Sequence, residues 1–488
     1  MFKYNDNKIK YLILIIFAVS TFIIMLCHEP FRDEVNAWLI AKYFNFRELL
    51  QIEKYDGHLF IWHTMLMPFA KNNFLYPLSM KILNWIFALL SVVILWNFAP
   101  FSKVEKTLIT FSYPFFIYFS TVARCYSVGI FLLFIILSLW KKRLNHPLLF
   151  SFLIILSANT SVMILVASIS LGLIYLYDLI KNKKPLFYPI LIFIIGGALI
   201  FYQIGSAVNP NQELVNLVFI KRIKNFLFQG KVQNLSLRIT NVIFALSAFS
   251  ALFGAFFAFL KRKRALFFLT LSYLLLFYIF SFKYYGHWWH YLFFFVFLIA
   301  AVWIQREENS YNGILNGKSL SFFDISFIFL LTMFTIKAFI FPFDYWEFVY
   351  EERNSDTYKI VKNLIEPNDK IYFFNADFIG LMPYLNYNMY DKFGDKRYSV
   401  NGYKRNMSPI EPDVDTFANT LSNKGRNIVF LKEIPNDLYG NKYVVKFDKI
   451  YSDETPIYMF LITKEDKESD IKEKFSDDTE EKTVNPKN

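Results

Sequence analysis

Cysteine is almost absent. Of 488 residues only Cys27 and Cys125 carry a thiol, so neither a disulfide framework nor a cysteine-based metal cluster can be built. Both fall near the expected outer face, where one bridge stays open and two unpaired thiols are the preferred reading. Nucleotide and zinc signatures are missing too. There is no P-loop, no dinucleotide glycine pattern and no HExxH helix, which argues against a nucleotide-driven machine or a zinc protease. The N-terminus starts basic, as a signal peptide does, but no small-residue cleavage pattern precedes His28. An uncleaved first helix is therefore expected. No internal repeat is visible.

Apolar surface is what the chain has in excess. It is 55% apolar and 20% aromatic, with 59 Phe, far above a soluble average. Runs of about 17–22 apolar residues give eleven candidate spans, near 11–27, 76–98, 107–122, 125–140, 147–161, 162–180, 186–206, 241–260, 265–282, 289–304 and 322–342. Only Asn159-Thr-Ser161 separates the fifth from the sixth. The net charge of +12 would suggest nucleic acid in a soluble protein. Here Lys and Arg sit in short loops between apolar runs, where they set topology. Lys3/Lys8/Lys10, Lys103/Lys106, Lys141-Lys-Arg143, Lys181/Lys183/Lys184 and Lys261-Arg-Lys-Arg264 all fall on one side under alternate crossing. The positive-inside rule makes that side cytoplasmic. With an odd span count, everything after Pro342 is outside. The expected fold class is an α-helical polytopic protein of the plasma membrane, N-terminus cytoplasmic, with an extracytoplasmic C-terminal α/β domain.

Three regions follow: a transmembrane catalytic domain at 1–343, the α/β domain at 344–464 and a charged, disordered tail at 465–488. Two outer loops are long, 28–75 and 206–240. In the first, Val35, Trp38, Leu39, Phe46, Leu49 and Leu50 repeat at helical spacing, with Lys42, Arg47 and Glu48 mainly on another face. That predicts one amphipathic helix lying in the membrane interface. In the α/β domain, 355–365 and 413–422 read as helices, and 370–375, 428–432, 443–451 and 457–463 as strands.

The segment His28-Glu-Pro-Phe-Arg-Asp-Glu-Val-Asn-Ala-Trp38 follows the first span at once. Charge at a hydrocarbon boundary is costly and is usually kept there for function. Asp33 could act as a general base towards a hydroxyl, with Glu34 holding a metal or a second proton. Helix capping and an ion pair with Arg32 are the structural alternative. Further on, Asp56-Gly-His58 could offer oxygen and nitrogen ligands to a divalent ion, Mg or Mn, although a hydrogen-bonded loop His is the commoner case. Arg124 stands alone between two apolar spans, Lys81 lies about a turn inside the second span, and Lys283-Tyr-Tyr-Gly-His-Trp-Trp-His-Tyr291 joins the ninth and tenth. Cations on the outer face oppose the positive-inside bias and are what an anionic lipid phosphate needs. Snorkelling for Lys81 and an aromatic belt for Trp288, Trp289 and Tyr291 are the alternatives.

The acidic pair after the first span, the interfacial helix, a second His or acidic motif before span two, an Arg-x-Tyr opening span four and a final outer domain form one arrangement. It resembles the GT-C glycosyltransferases, the polytopic class that includes protein O-mannosyltransferases and lipid A aminoarabinose transferases. Residues 28–42 look like a bacterial branch with a Glu-Pro-Trp-Arg-Asp-Glu-Ala type signature. The likeness is sharp over 28–70, extends to about residue 140 and is architectural afterwards. It implies inverting transfer from a polyprenyl-phosphate sugar, on the outer face, to a glycan, lipid or protein acceptor. Asp33 would be the general base and Glu34 its partner or a metal ligand, with Asp56 and His58 in the second motif. Arg124, Tyr126, Lys81 and Lys283 would hold the donor phosphate, and Arg32, His63, Tyr285, His287 and His290 would line the substrate. Two positions depart from the family pattern: Leu59 follows His58 where Pro is expected, and Lys81 stands in place of Arg. A ligase or polymerase of lipid-linked glycans and a transporter or flippase of lipid-linked sugars are the rival readings. A transporter should carry polar or broken helices at mid-membrane, whereas here the ionisable residues crowd the outer surface.

Overall fold

The computed structural model describes residues 2–56, 58–204, 235–284, 286–309, 321–340, 358–359, 362, 365–366, 368–373, 380–385, 389–391, 426–431, 444–450 and 457–463. The chain divides into two compact units, Met1–Tyr350 and Glu351–Asn488.

The first unit is helical. Helix α1 (Phe2–Cys27) leaves Leu12, Ile15, Val19 and Ile23 exposed, while Phe17, Thr21 and Met25 are fully buried. A stripe at i, i+4, i+8 is one helical face against the bundle, with the rest left to lipid. The helix stops because His28-Glu29 leads into Pro30, and the residue before proline avoids helical geometry. The loop that follows holds three helices: α2 (Arg32–Tyr43), α3 (Phe46–Asp56) and α4 (Ile61–Ala70). The expected single interfacial helix is thus two. Asn45 takes the Glu48 N–H on its side chain at 3.0 Å while Glu48 accepts the Asn45 N–H at 2.8 Å, a reciprocal cap that starts a new helix. Nor is α2 one-sided. Val35, Ala37, Trp38, Leu39, Ile40 and Ala41 are all buried, so it is enclosed by the bundle.

Next come α5 (Leu78–Phe98), α6 (Lys103–Thr110), a π-helical turn Pro114–Tyr118, α7 (Phe119–Thr121) and α8 (Cys125–Ser138). The expected third span, 107–122, is therefore broken, since Pro114 has no N–H to continue the ladder. Then follow α9 (Pro147–Ala158), α10 (Val162–Lys181), α11 (Phe187–Ile204), α12 (Leu235–Phe259), α13 (Lys263–Phe282), α14 (Trp288–Asn309) and α15 (Phe322–Ile340). Among the described residues seven helices are long and apolar enough to cross a membrane, and Cys125–Ser138, Pro147–Ala158 and Ile243–Phe259 are shorter apolar helices. A turn at Asn159-Thr160 separates α9 from α10, and Ser161 caps α10 by accepting the Ile164 N–H. Gly129 lets α8 lie close to this start: a Cβ there would stand 2.6 Å from the Ile164 side chain and 2.7 Å from Thr160 Oγ1.

α14 is the central helix, with 78% of its apolar window buried against 17% for α1. It ends in Arg306, which pairs bidentately with Glu105 at 2.9 and 2.7 Å and also reaches Asp324. At the same end of the bundle Asp178 accepts from both Arg143 and Arg264.

The second unit carries a five-stranded sheet in the order β2-β1-β3-β5-β4. β1 (Lys370–Phe373) pairs in parallel with β2 (Met389–Asp391) and β3 (Asn427–Leu431), and β5 (Ile457–Thr463) runs antiparallel to β3 and to β4 (Val444–Ile450). Ile371, Tyr372, Met389, Ile428, Val429 and Phe430 are among its buried side chains. The helix expected over 413–422 lies outside the described residues, as does most of the one over 355–365.

Candidate functional site

The site is built where α2 begins. Adjacent residues of a helix point about 100° apart, so Asp33 and Glu34 meet different surroundings. Glu34 is fully buried. Its carboxylate accepts the Phe31 N–H at 3.1 Å and the Ala123 N–H at 2.6 Å, and lies 2.6 Å from His28 Nε2. Three partners occupy it, so Glu34 is a tie between α2 and the segment entering α8. The expected role as metal ligand does not fit this arrangement.

Asp33 faces the other way and keeps 28% of its side chain exposed. Its Oδ2 lies 2.9 Å from Arg124 Nη1, and Arg32 Nε is 3.6 Å from Oδ1. Burial alone would raise the Asp33 carboxyl. Arg124, Arg32, His58 and His287 outweigh that and hold it below the usual carboxylate value.

Arg124 is the N-cap of α8 and only 5% exposed. Its other terminal nitrogen donates to His58 Nε2 at 2.5 Å, and its guanidinium lies 5.1 Å from the Tyr126 ring and 5.9 Å from that of Phe31. Because His58 Nε2 accepts, its neutral ring carries the proton on Nδ1, which faces Cys125 Sγ at 3.9 Å. His58 itself is placed by a β-bridge to Ser161 at the start of α10. Asp33, Arg124, His58 and Tyr126, four of the residues expected from sequence, therefore meet at one point.

The others are distributed around it. His63 pairs with Glu53 at 2.9 Å, both fully buried, and its ring lies 6.5 Å from that of His58. Lys81 is buried in α5, with Glu34 and Glu29 as opposing charges. Lys283 is exposed at the C-cap of α13. His287 is half-buried and stacked on Trp289 at 4.4 Å, and His290 is 5% exposed with Nε2 2.9 Å from Tyr126 Oη. Tyr285 and the Asp56 side chain lie outside the described residues. Neither cysteine is in a disulfide; Cys27 is exposed and Cys125 buried.

Sequence reasoning passed over Tyr118. It ends the π-helical turn, fully buried, and its hydroxyl has no hydrogen-bond partner among the described residues. π-Helical turns recur at functional sites, but this one is visible only in the structure. Among the described residues no three His, Cys, Asp or Glu side chains converge to hold an ion, and a guanidinium already occupies His58 Nε2.

The chain is similar in structure to ArnT from Cupriavidus metallidurans, in a crystal structure bound to undecaprenyl phosphate. The TM-score is 0.55 at 10% identity, over 92% of this chain and 97% of that one. The likeness is one of fold, of the GT-C type. The GT-C fold is thus reached with almost no shared sequence. Consistent with that distance, no protein-family model and no curated protein matches this chain.

Proposed function

We propose that this chain is an inverting membrane glycosyltransferase, which moves a sugar from a polyprenyl-phosphate donor to a glycan, lipid or protein acceptor at the cell surface. The observation that carries the reading is the partly exposed carboxylate of Asp33 held 2.9 Å from the buried Arg124, within a fold like that of ArnT, which was solved bound to undecaprenyl phosphate.

The chemistry balances without a nucleotide. Asp33 takes the proton of the acceptor hydroxyl, whose oxygen attacks the anomeric carbon from the side opposite the donor phosphate. The carbon–oxygen bond to the phosphate breaks, and its electron pair leaves on a phosphate oxygen. That charge meets the forked guanidinium of Arg124, with Tyr126, Lys81 and Lys283 as further donors. A phosphate leaves readily, so no strong acid is needed. The pairing of Asp33 with Arg124 also couples the two halves of the site. Donor phosphate shares the Arg124 charge, which loosens its hold on Asp33 and makes that carboxylate a better base when the donor is in place. The five basic clusters support a cytoplasmic N-terminus, with the reaction on the outer face.

The test is Asp33→Asn at matched protein level in cells. Turnover should fall by roughly 10²–10⁴-fold, the usual range for losing a positioned base. One defined sugar substituent should disappear from the surface glycans while its polyprenyl-phosphate donor accumulates. Binding of undecaprenyl phosphate should be kept or tightened, because Arg124 loses a competitor. Unchanged glycans with normal donor turnover would remove Asp33 as the base.

A further inference from the structure

His290 occupies the third residue of α14, after the N-cap His287. Its Nδ1 accepts the His287 backbone N–H at 2.9 Å, which is the return half of a capping box with an imidazole in place of the usual Glu or Gln. The cap has a chemical consequence. A ring nitrogen that accepts cannot carry a proton, so the neutral imidazole must hold its proton on Nε2. That nitrogen lies 2.9 Å from Tyr126 Oη. The Nε2–H therefore donates, the Tyr126 oxygen accepts, and the phenol's own proton is directed elsewhere. No second acceptor takes that proton among the described residues. The phenol sits beside Arg124, whose guanidinium lies 5.1 Å from its ring.

We propose that His290 is a positioning residue that fixes the direction of one hydrogen bond. By capping α14 it locks the tautomer that makes Tyr126 a donor towards an oxyanion held at Arg124. The inference rests on the reading of Arg124 and Tyr126 as holding the donor phosphate. In that reading His290 does not line the substrate, as sequence suggested, but stands behind the residue that does.

Two nearly isosteric replacements separate the possibilities. Gln at 290 can accept the His287 N–H on its oxygen and donate to Tyr126 through its amide, keeping the polarity. Glu keeps the cap but has only acceptors, so it draws the Tyr126 proton to itself and reverses the bond. With the full-length purified protein and undecaprenyl phosphate as the probe, His290→Gln should bind within about twofold of wild type. His290→Glu and Tyr126→Phe should each weaken binding roughly ten- to hundredfold, the usual worth of a hydrogen bond to a charged group. The pair His290→Glu/Tyr126→Phe should bind no more weakly than Tyr126→Phe alone, whereas a direct charge effect of the Glu would add to it.

Equal binding by the Gln and Glu variants, with Tyr126→Phe still weakened, overturns the role of His290 and leaves the phosphate site standing. Additive losses in the double variant overturn it as well. Unchanged binding by Tyr126→Phe and Arg124→Ala removes the phosphate reading itself and the inference with it. Should His290→Glu not fold, ¹⁵N shifts of labelled histidine in the wild-type protein read the tautomer directly. A neutral ring protonated on Nε2 is expected, and protonation on Nδ1 refutes the proposal.

Discussion

Asp33 is a carboxylate held below its ordinary value of 3.8 by neighbouring cations, Arg124 foremost among them and against the pull of burial. A base of that kind stays ionised as the pH falls until its lowered value is reached, so Asp33 sets no acid limb in kcat/KM above about pH 4. In the proposed mechanism donor phosphate at Arg124 would move the value up. The acid limb of kcat, which reports the donor-bound enzyme, should therefore lie at higher pH than that of kcat/KM. A limb of kcat at or below that of kcat/KM would show that Arg124 and the donor do not share charge. Tyr118 offers a complementary test. Its buried hydroxyl has no hydrogen-bond partner among the described residues, so Tyr118→Phe should leave the thermal midpoint unchanged or raise it. If that hydroxyl completes the phosphate site, the same change should weaken undecaprenyl phosphate binding roughly tenfold. Equal affinity in both proteins would make Tyr118 a core residue only. Asp33 and Arg124 stood out in the sequence as charge at a membrane boundary and His58 as part of a loop motif, but that the three meet was not legible there. Which of Asp33 and Glu34 is fully buried was not legible either, because a helix begun one residue earlier would exchange them.

At the scale of elements, the entry to α2 hangs on Glu34. One oxygen serves His28 and the Phe31 N–H, the other the Ala123 N–H next to Arg124. Glu34→Gln supplies a donor where an acceptor is needed and removes a charge, so it should cost about 1–3 kcal/mol, read as a lowered thermal midpoint. It should also impair turnover, since the Asp33–Arg124 distance depends on the segment that Ala123 holds. A stable but inactive Glu34→Gln would instead place Glu34 in the chemistry. The break between α2 and α3 was written in the sequence as Asn45-Phe-Arg-Glu48, a helix-start signature. It was hidden by apolar residues that keep helical spacing across it. Pro114 announced the interruption of the third span in the same way, masked by the apolar run around it. Where hydrophobic periodicity and a local stop signal compete within about twenty residues, the backbone hydrogen-bond requirement wins.

Across the whole molecule, α14 joins two polar ends of an apolar bundle. From His290 to Arg306 it rises roughly 24 Å at 1.5 Å per residue, with the candidate site at one end and the buried ion pairs at the other. The basic clusters that mark topology in the sequence supply those pairs: Arg143 and Arg264, from two separate clusters, both bond Asp178, which is fully buried. Removing the carboxylate leaves two guanidiniums facing each other without their common partner. Asp178→Asn should therefore destabilise by about 3–5 kcal/mol, on the order of 5–10 °C in the thermal midpoint. Replacing Arg143 by Leu in the same protein should recover part of that loss, because one stranded charge goes with it. The other end of α14 should not register the change: undecaprenyl phosphate should bind Asp178→Asn within about twofold of wild type at a temperature where both are folded. A large loss of affinity there would mean that the two ends move together, and the bundle would then be a transmitting body in which the ion pairs help set the geometry around Arg124.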